Sequence, residues 1–155
     1  MNVKIRNAEL RDTTAIAEIL RGLGLFPYLA AETLVQTQTH VREHVKLCLS
    51  DNSHSIYVAE LPGTGIVGYV AAHWLPYLML MGPEGYISEL FVKAAGRSRG
   101  VGGTLLDVVK REAKARGCFR LSLLNLRNRE SYERGFYVKQ GWQERPDAAN
   151  FLCLL

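Results

Sequence analysis

Residues 86–116 restrict the folding of this chain more than any other stretch. Tyr86–Val92 is β-rich, and residues 93–100 read Lys-Ala-Ala-Gly-Arg-Ser-Arg-Gly. From about Gly102 to Arg116, Leu105, Leu106, Val109 and Ala113 then recur on one side of a helix. A strand that opens through a short loop into an amphipathic helix is the unit from which sheets with helices packed on them are built.

The junction is also chemically pointed. The first backbone N–H groups of a helix lack intrahelical partners and sit at the positive end of its dipole. Gly100, Gly102 and Gly103 let a phosphate approach the backbone without a Cβ in the way, and Lys93, Arg97 and Arg99 add full charges. Two common phosphate-binding loops are excluded. A P-loop closes on Gly-Lys-Ser/Thr, whereas Gly102-Gly103-Thr104 has no lysine. A dinucleotide fold carries its glycine loop after the first strand, with an acidic residue about 20 positions on. A tight turn is the plain alternative for a bare glycine loop; the two arginines and the strand-to-helix setting favour the anion site.

The remaining pattern predicts a strand at Val3–Arg6, within a start at Met1 that shows no apolar leader. A helix follows an Asp12 N-cap, turns Ile16, Ile19, Leu20 and Leu23 inward, and ends at Gly22, Gly24 and Pro27. A second helix runs from about Ala30 to Leu49, with Leu34, Val41, Val45 and Cys48 inward. Ser55–Glu60 and Ile66–Trp74 form a hairpin about Pro62-Gly63-Thr64-Gly65, and the apolar loop Leu75–Gly85 leads to the strand at Tyr86. Gly117 suits the helix C′ position. Phe119–Leu124 reads as a strand, Glu130–Gln140 as a helix stopped by Gly141, and Ala149–Leu155 as a terminal strand. This order gives an α/β (mixed α+β) fold, a sheet flanked by helices, and 155 residues fit one domain, 1–155.

Composition narrows the setting. No apolar run approaches the ~20 residues that cross a bilayer, so no membrane partner and a cytoplasmic location are expected. Cys48, Cys118 and Cys153 are odd in number, widely spaced and outside any CxxC pair, so buried free thiols are expected rather than a disulfide or zinc site. A net charge of +4 is a mild excess that suits a polyanionic small ligand. The basic run Lys110, Arg111, Lys114 and Arg116 clusters at a helix C-terminus, where the dipole explains it, so no nucleic-acid partner is expected.

Three segments in order resemble the GNAT acetyltransferase superfamily. Arg97-Ser98-Arg99-Gly100-Val101-Gly102 is similar to its Arg/Gln-x-x-Gly-x-Gly/Ala signature for the coenzyme A pyrophosphate. Tyr86-Ile87-Ser88-Glu89-Leu90-Phe91-Val92 resembles its fourth strand, and Asn128 through Phe136-Tyr137 to Gly141-Trp142 resembles its closing motif. The resemblance implies a mixed, mostly antiparallel sheet whose fourth and fifth strands are parallel and splayed, with acetyl-CoA as co-substrate in the gap. It implies that Leu90, Phe91 and Val92 offer backbone groups to the pantetheine arm, polarising the thioester carbonyl. By the same resemblance the residues from Arg97 through Ser98, Arg99, Gly100, Val101 and Gly102 to Gly103 hold the pyrophosphate. Ser98 stands where many members carry glycine, a change expected to matter little because only a backbone N–H is asked for. Gly135, inside the expected last helix, hints at close packing against another backbone.

Acyl transfer to an amine needs a neutral amine, yet an alkylammonium has a pKa of about 10.4, so a base is required. Glu89, an acidic residue amid Ile87, Leu90 and Phe91, is the candidate; a solvated or salt-bridged strand glutamate is the alternative, and alternation alone does not say which face it takes. Tyr137 corresponds to the family tyrosine that protonates the departing sulfur, against a packed helix aromatic beside Phe136. Asn128 either bonds the pantetheine arm or caps a helix. His40 and His44, at i and i+4, lack a third ligand in an obvious place, so no metal is expected. His73 ends the third strand near the apolar loop, which lines an acceptor site, forms a dimer contact or packs into the core.

The reading is an acetyl-CoA-dependent N-acetyltransferase acting on a small-molecule amine or protein amino group, with a homodimer left open. The alternative is a non-catalytic acyl-CoA-binding module of the same fold. Aminoglycosides, polyamines, amino acids and protein amino groups all remain open as acceptors.

Overall fold

Five strands form one sheet in spatial order β1 (Lys4–Asn7), β2 (His54–Leu61), β3 (Gly65–Leu75), β4 (Glu84–Val92) and β5 (Arg120–Leu123). The computed structural model describes residues 2–155, in two compact units that divide after Leu123. Met1, where the expected N-terminal segment begins, lies outside the described residues. β1 to β4 pair antiparallel in succession, and β5 joins β4 in parallel, the mixed sheet that the resemblance implies.

One face of the sheet carries α1 (Thr13–Gly22), the single turn α2 (Pro27–Ala30) and α3 (Leu34–Cys48). Ile16, Ala17 and Ile19 of α1 and Val41 and Val45 of α3 close over Ile56, Val58 and Tyr69 of the sheet. Burying each of the larger apolar side chains contributes about 1.5–3 kcal/mol, so this core fixes the helices that border the site.

The opposite face carries α4 (Val101–Ala115), whose Val101, Leu105, Leu106, Val109 and Ala113 are buried as the periodicity predicts. A polar pin adds register. Ser55 and Tyr57 each donate to Glu112 at 2.8 Å, and the Trp74 indole donates to Ser55 at 2.9 Å. Arg116 grips Glu112 and lies over the Trp74 ring at 4.8 Å. Burial and the bond to Glu112 push the Tyr57 phenol up to about 12.

Several expectations change for local reasons. Asp12 does not cap α1 with its side chain; it is buried and accepts from Arg6 at 2.7 and 2.8 Å and from the Glu9 N–H at 2.8 Å. The Arg6 hydrogen bond holds its carboxyl below the usual range. The second long helix starts at Leu34, because Thr33 and Gln36 close a capping box. Leu34 is consequently exposed at the first turn, and Thr37 takes an inward position. In the loop after β3, Leu78, Met79 and Met81 are exposed, which excludes its packing into the core. Cys48 and Cys118 are half-buried and Cys153 is exposed, all as free thiols, so the expected burial holds only in part.

The second unit holds two single turns, α5 (Glu130–Glu133) and α6 (Phe136–Lys139), in place of one continuous helix. Gly135 breaks it with a φ of +61° and no atom within 4 Å of where a Cβ would stand, so left-handed backbone, not close packing, is the reason for glycine. Ala149–Leu155 is exposed and forms no strand, because an isolated apolar segment without a neighbour cannot satisfy its backbone.

Candidate active site

The site grows from one irregularity in β4. Leu90 and Glu89 oppose Val70 and Ala71, but Ile87 opposes Ala72, so Ser88 is an extra residue on the β4 side. The bulge reverses the alternation. Tyr86 shares a face with His73 before it, and Glu89 and Phe91 share that same face with Ala71 and Tyr69 after it. Plain alternation through the strand would have placed Tyr86 and Glu89 on opposite faces.

Glu89 therefore points into a cavity of about 550 Å³ beneath α1, α2 and α3. Ile16, Leu20, Val41, Val45 and Ile56 form much of its wall, and Phe26, Tyr28 and Phe91 add aromatic surface. Phe91 meets Phe26 edge-on at 5.6 Å and Tyr69 at 6.0 Å. The Tyr69 hydroxyl donates to Glu89 Oε2 in a short hydrogen bond, and burial followed by the Glu89 charge raises its phenol well above the ordinary value. Tyr69 thus stays protonated and holds one carboxylate oxygen in place. Cys48, on the same wall, is kept a neutral thiol by burial and by Glu89.

His40, His44, His73 and Ser88 complete the polar lining. His73 Nε2 is 2.6 Å from Ser88 Oγ, and its ring meets His54 at 4.7 Å. Burial and the neighbouring His54 lower its pKa. His40 pairs with Glu32 at 3.2 Å rather than with a metal ligand set, and no cluster of three metal-ligating side chains occurs among the described residues. The apolar loop after β3 contributes none of the lining residues.

Beyond the bulge, the other edge of β4 is open. The parallel ladder to β5 runs from Glu84/Arg120 to Ile87/Leu123 and ends there, while β4 continues to Val92. Alternate residues along Ser88–Val92 direct both N–H and C=O away from β3, and β5 offers them no partner. The lower part of the pair is tied by buried Glu84, which accepts short hydrogen bonds from Arg120 and Ser122.

β4 leads through one 3-10 turn, Ala94–Gly96, to α4. Gly100 caps this helix at φ +74° without a side-chain cap, and the first helical bond is Thr104 N–H to Gly100 C=O at 3.0 Å. The N–H groups of Val101, Gly102 and Gly103 thus precede the first intrahelical bond. Arg97, Ser98, Arg99 and Gly100 are exposed around them. Ser98 has φ +58°, the only positive value outside glycine among the described residues. Its substitution for glycine is therefore not neutral: a left-handed serine costs about 1–2 kcal/mol.

In the second unit, Tyr137 packs edge-on against Phe136 at 5.0 Å and Trp142 at 6.2 Å. Burial pushes its phenol up to about 12. Asn128 is exposed and is not the cap of α5, a position that Arg129 occupies without a side-chain bond. The side-chain bond at this turn runs instead from Ser131 to Asn125 Oδ1 at 2.9 Å.

The model of the Acetyltransferase (GNAT) family matches residues 15–142. The chain belongs to this family. It is an N-acetyltransferase, and GNAT acetyltransferases use acetyl-CoA as co-substrate. Glucosamine 6-phosphate N-acetyltransferase 1 of Oryza sativa subsp. japonica is 27% identical over 133 residues, covering 84% of this chain and 78% of the rice protein. Two solved structures share the fold. Glucosamine-6-phosphate N-acetyltransferase from Arabidopsis thaliana superposes with a TM-score of 0.73 at 19% identity, covering 98% of this chain and 99% of its own. The aminoglycoside acetyltransferase meta-AAC0020, from an uncultured soil metagenomic sample and complexed with trehalose, gives 0.76 at 19% identity, covering 99% and 96%.

Against this GNAT frame, Glu89, Leu90, Phe91 and Val92 share one strand, and Arg97–Gly103 lies at the end of it. Tyr69 escaped the sequence reading. Its link to Glu89 depends on the β3–β4 register, and no local signal twenty residues away reveals it.

Proposed function

We propose that this GNAT acetyltransferase moves the acetyl group of acetyl-CoA to a primary amine by direct attack on the thioester, within one catalytic domain. The observation that carries the reading is Glu89, held by Tyr69 on the wall of a cavity that opens on the face of β4. The same strand presents its open edge and then the Arg97–Gly103 loop, so the acceptor and the coenzyme share one scaffold.

The coenzyme fits the groups at hand. Its phosphates are polyanionic, and the Val101, Gly102 and Gly103 N–H groups with Arg97 and Arg99 supply dipole and charge for them. Leu90 and Val92, on either side of Phe91, turn backbone groups to the edge left open by β5, where an amide-bearing arm finds partners. The family resemblance, not a contact in the structure, gives Asn128 to the same arm. Bound there, acetyl-CoA supplies an activated acyl carbon and a thiol leaving group.

Glu89 removes a proton from the acceptor ammonium, directly or through one water, and so frees the nitrogen lone pair. As the C–N bond forms and the C–S bond breaks, the nitrogen sheds a second proton. Tyr137 donates one proton to the departing sulfur and recovers one from solvent, so each amide formed releases one net proton. Burial that raises the Tyr137 phenol to about 12 keeps it protonated at neutral pH.

The test is thiol release from acetyl-CoA with a panel of amines, alongside calorimetric binding of acetyl-CoA, in the wild type and in Tyr137→Phe. Loss of turnover with retained binding supports the assignment. Micromolar binding without turnover on any amine favours the alternative, an acyl-CoA-binding module.

A further inference from the structure

We infer that the acceptor is a primary monoamine with a hydrocarbon body, an alkylamine or arylalkylamine, and that the cavity at Glu89 selects it. The inference rests on the reading of Glu89 as the base. A cavity of about 550 Å³ is of the size that takes a small organic molecule. Its walls are mostly hydrocarbon, from Ile16, Leu20, Val41, Val45 and Ile56, with the edge-to-face aromatics Phe26, Phe91 and Tyr69 leading inward to the carboxylate.

The charges decide between acceptor classes. Glu89 is the only carboxylate among the lining residues, and no lysine or arginine lines the cavity. A polyamine or aminoglycoside brings several ammonium groups, and each needs an anionic partner once removed from water. One carboxylate serves one of them. A phosphorylated sugar brings an anion that calls for fixed cations, and two of the three lining imidazoles are poor substitutes. His73 is held towards its neutral form by burial and His54, and His40 is engaged with Glu32 at 3.2 Å. A hydrocarbon body asks for no partner and gains by leaving water.

Initial rates of thiol release and calorimetric binding are measured on the full chain with ethylamine, butylamine, hexylamine, phenethylamine, spermine and glucosamine 6-phosphate. Both kcat/KM and affinity should rise about fourfold per methylene, the factor given by burying one CH2 group. Spermine and glucosamine 6-phosphate should fall at least about tenfold below hexylamine, because each leaves an unpaired charge. A flat chain-length series, or a preference for either charged acceptor, overturns the inference. Binding that rises with chain length without thiol release upholds it while overturning acetyl transfer; turnover without chain-length dependence does the reverse. A second variant reads the charge logic directly. Leu47→Glu adds a carboxylate at an exposed lining position and should raise the ratio of 1,6-diaminohexane to hexylamine turnover about tenfold, with an unchanged melting temperature. An unchanged ratio overturns the single-carboxylate argument.

Discussion

The two regions of β4 that we propose meet the coenzyme and the acceptor are made of different material. At its C-terminal end the Arg97–Gly103 turn presents backbone N–H groups, a helix dipole and exposed arginines, with few side chains committed to packing. On its broad face, the cavity at Glu89 is made of side chains from three helices and three strands, many of them also members of the core. On the proposed reading, the region built from backbone recognises the phosphates of the coenzyme. A region built from core side chains recognises shape, and it ties selectivity to stability.

The sharpest break of that contrast is Glu89→Gln. It keeps the Tyr69 hydrogen bond acceptor but removes the base, so kcat should fall about 10²–10⁴-fold. Acetyl-CoA affinity by calorimetry should hold. Ile16→Ala comes next, enlarging the cavity within the core at a cost of about 2–4 kcal/mol in denaturant unfolding. Acetyl-CoA affinity, measured well below the melting temperature, should be unaffected; a loss would mean that the two regions are not separable.

Arg97→Ala with Arg99→Ala tests the other side. The pair should lower acetyl-CoA affinity about tenfold, the value of one charge-assisted contact at an exposed position. Melting temperature should stay within about 1 °C, since exposed substitutions of this kind cost about 0.5 kcal/mol or less. The smallest effect is a pH dependence at His73. Its folded pKa lies below the ordinary value near 6.5, so between the two values the unfolded chain binds a proton that the folded chain refuses. The stability this contributes is complete above about pH 6.5 and declines as pH falls below it. His73→Gln should flatten that part of an unfolding series between pH 7 and pH 5.

The same contrast explains what could be read in advance. The α4 junction is local: glycines, arginines and a 3.6 period within one segment give a helix start, its buried face and its anion-directed end. The mixed, mostly antiparallel sheet and its parallel β4–β5 pair followed from the family resemblance, and the strand order did not. The cavity was not legible, because the face of Glu89 depends on a bulge at Ser88 and on Tyr69 across a strand pair. Propensity also missed the break at Gly135, where two helix-forming stretches are interrupted by one left-handed residue. Asp12 failed as a cap because Arg6, distant from the helix pattern, claimed its carboxylate.

The extra residue at Ser88 gives β4 two phases. Residues 84–87 keep time with β5, through Glu84 and the parallel ladder, while residues 89–92 keep time with β3 alone. A one-residue shift in a regular strand exchanges its faces along the whole length. Here the bulge absorbs that shift, so the half that binds the sheet together and the half that lines the cavity are indexed independently. Deleting Ser88 would put them back on one clock, and either Glu84 would leave Arg120 or Glu89 would turn towards α4 and away from the cavity.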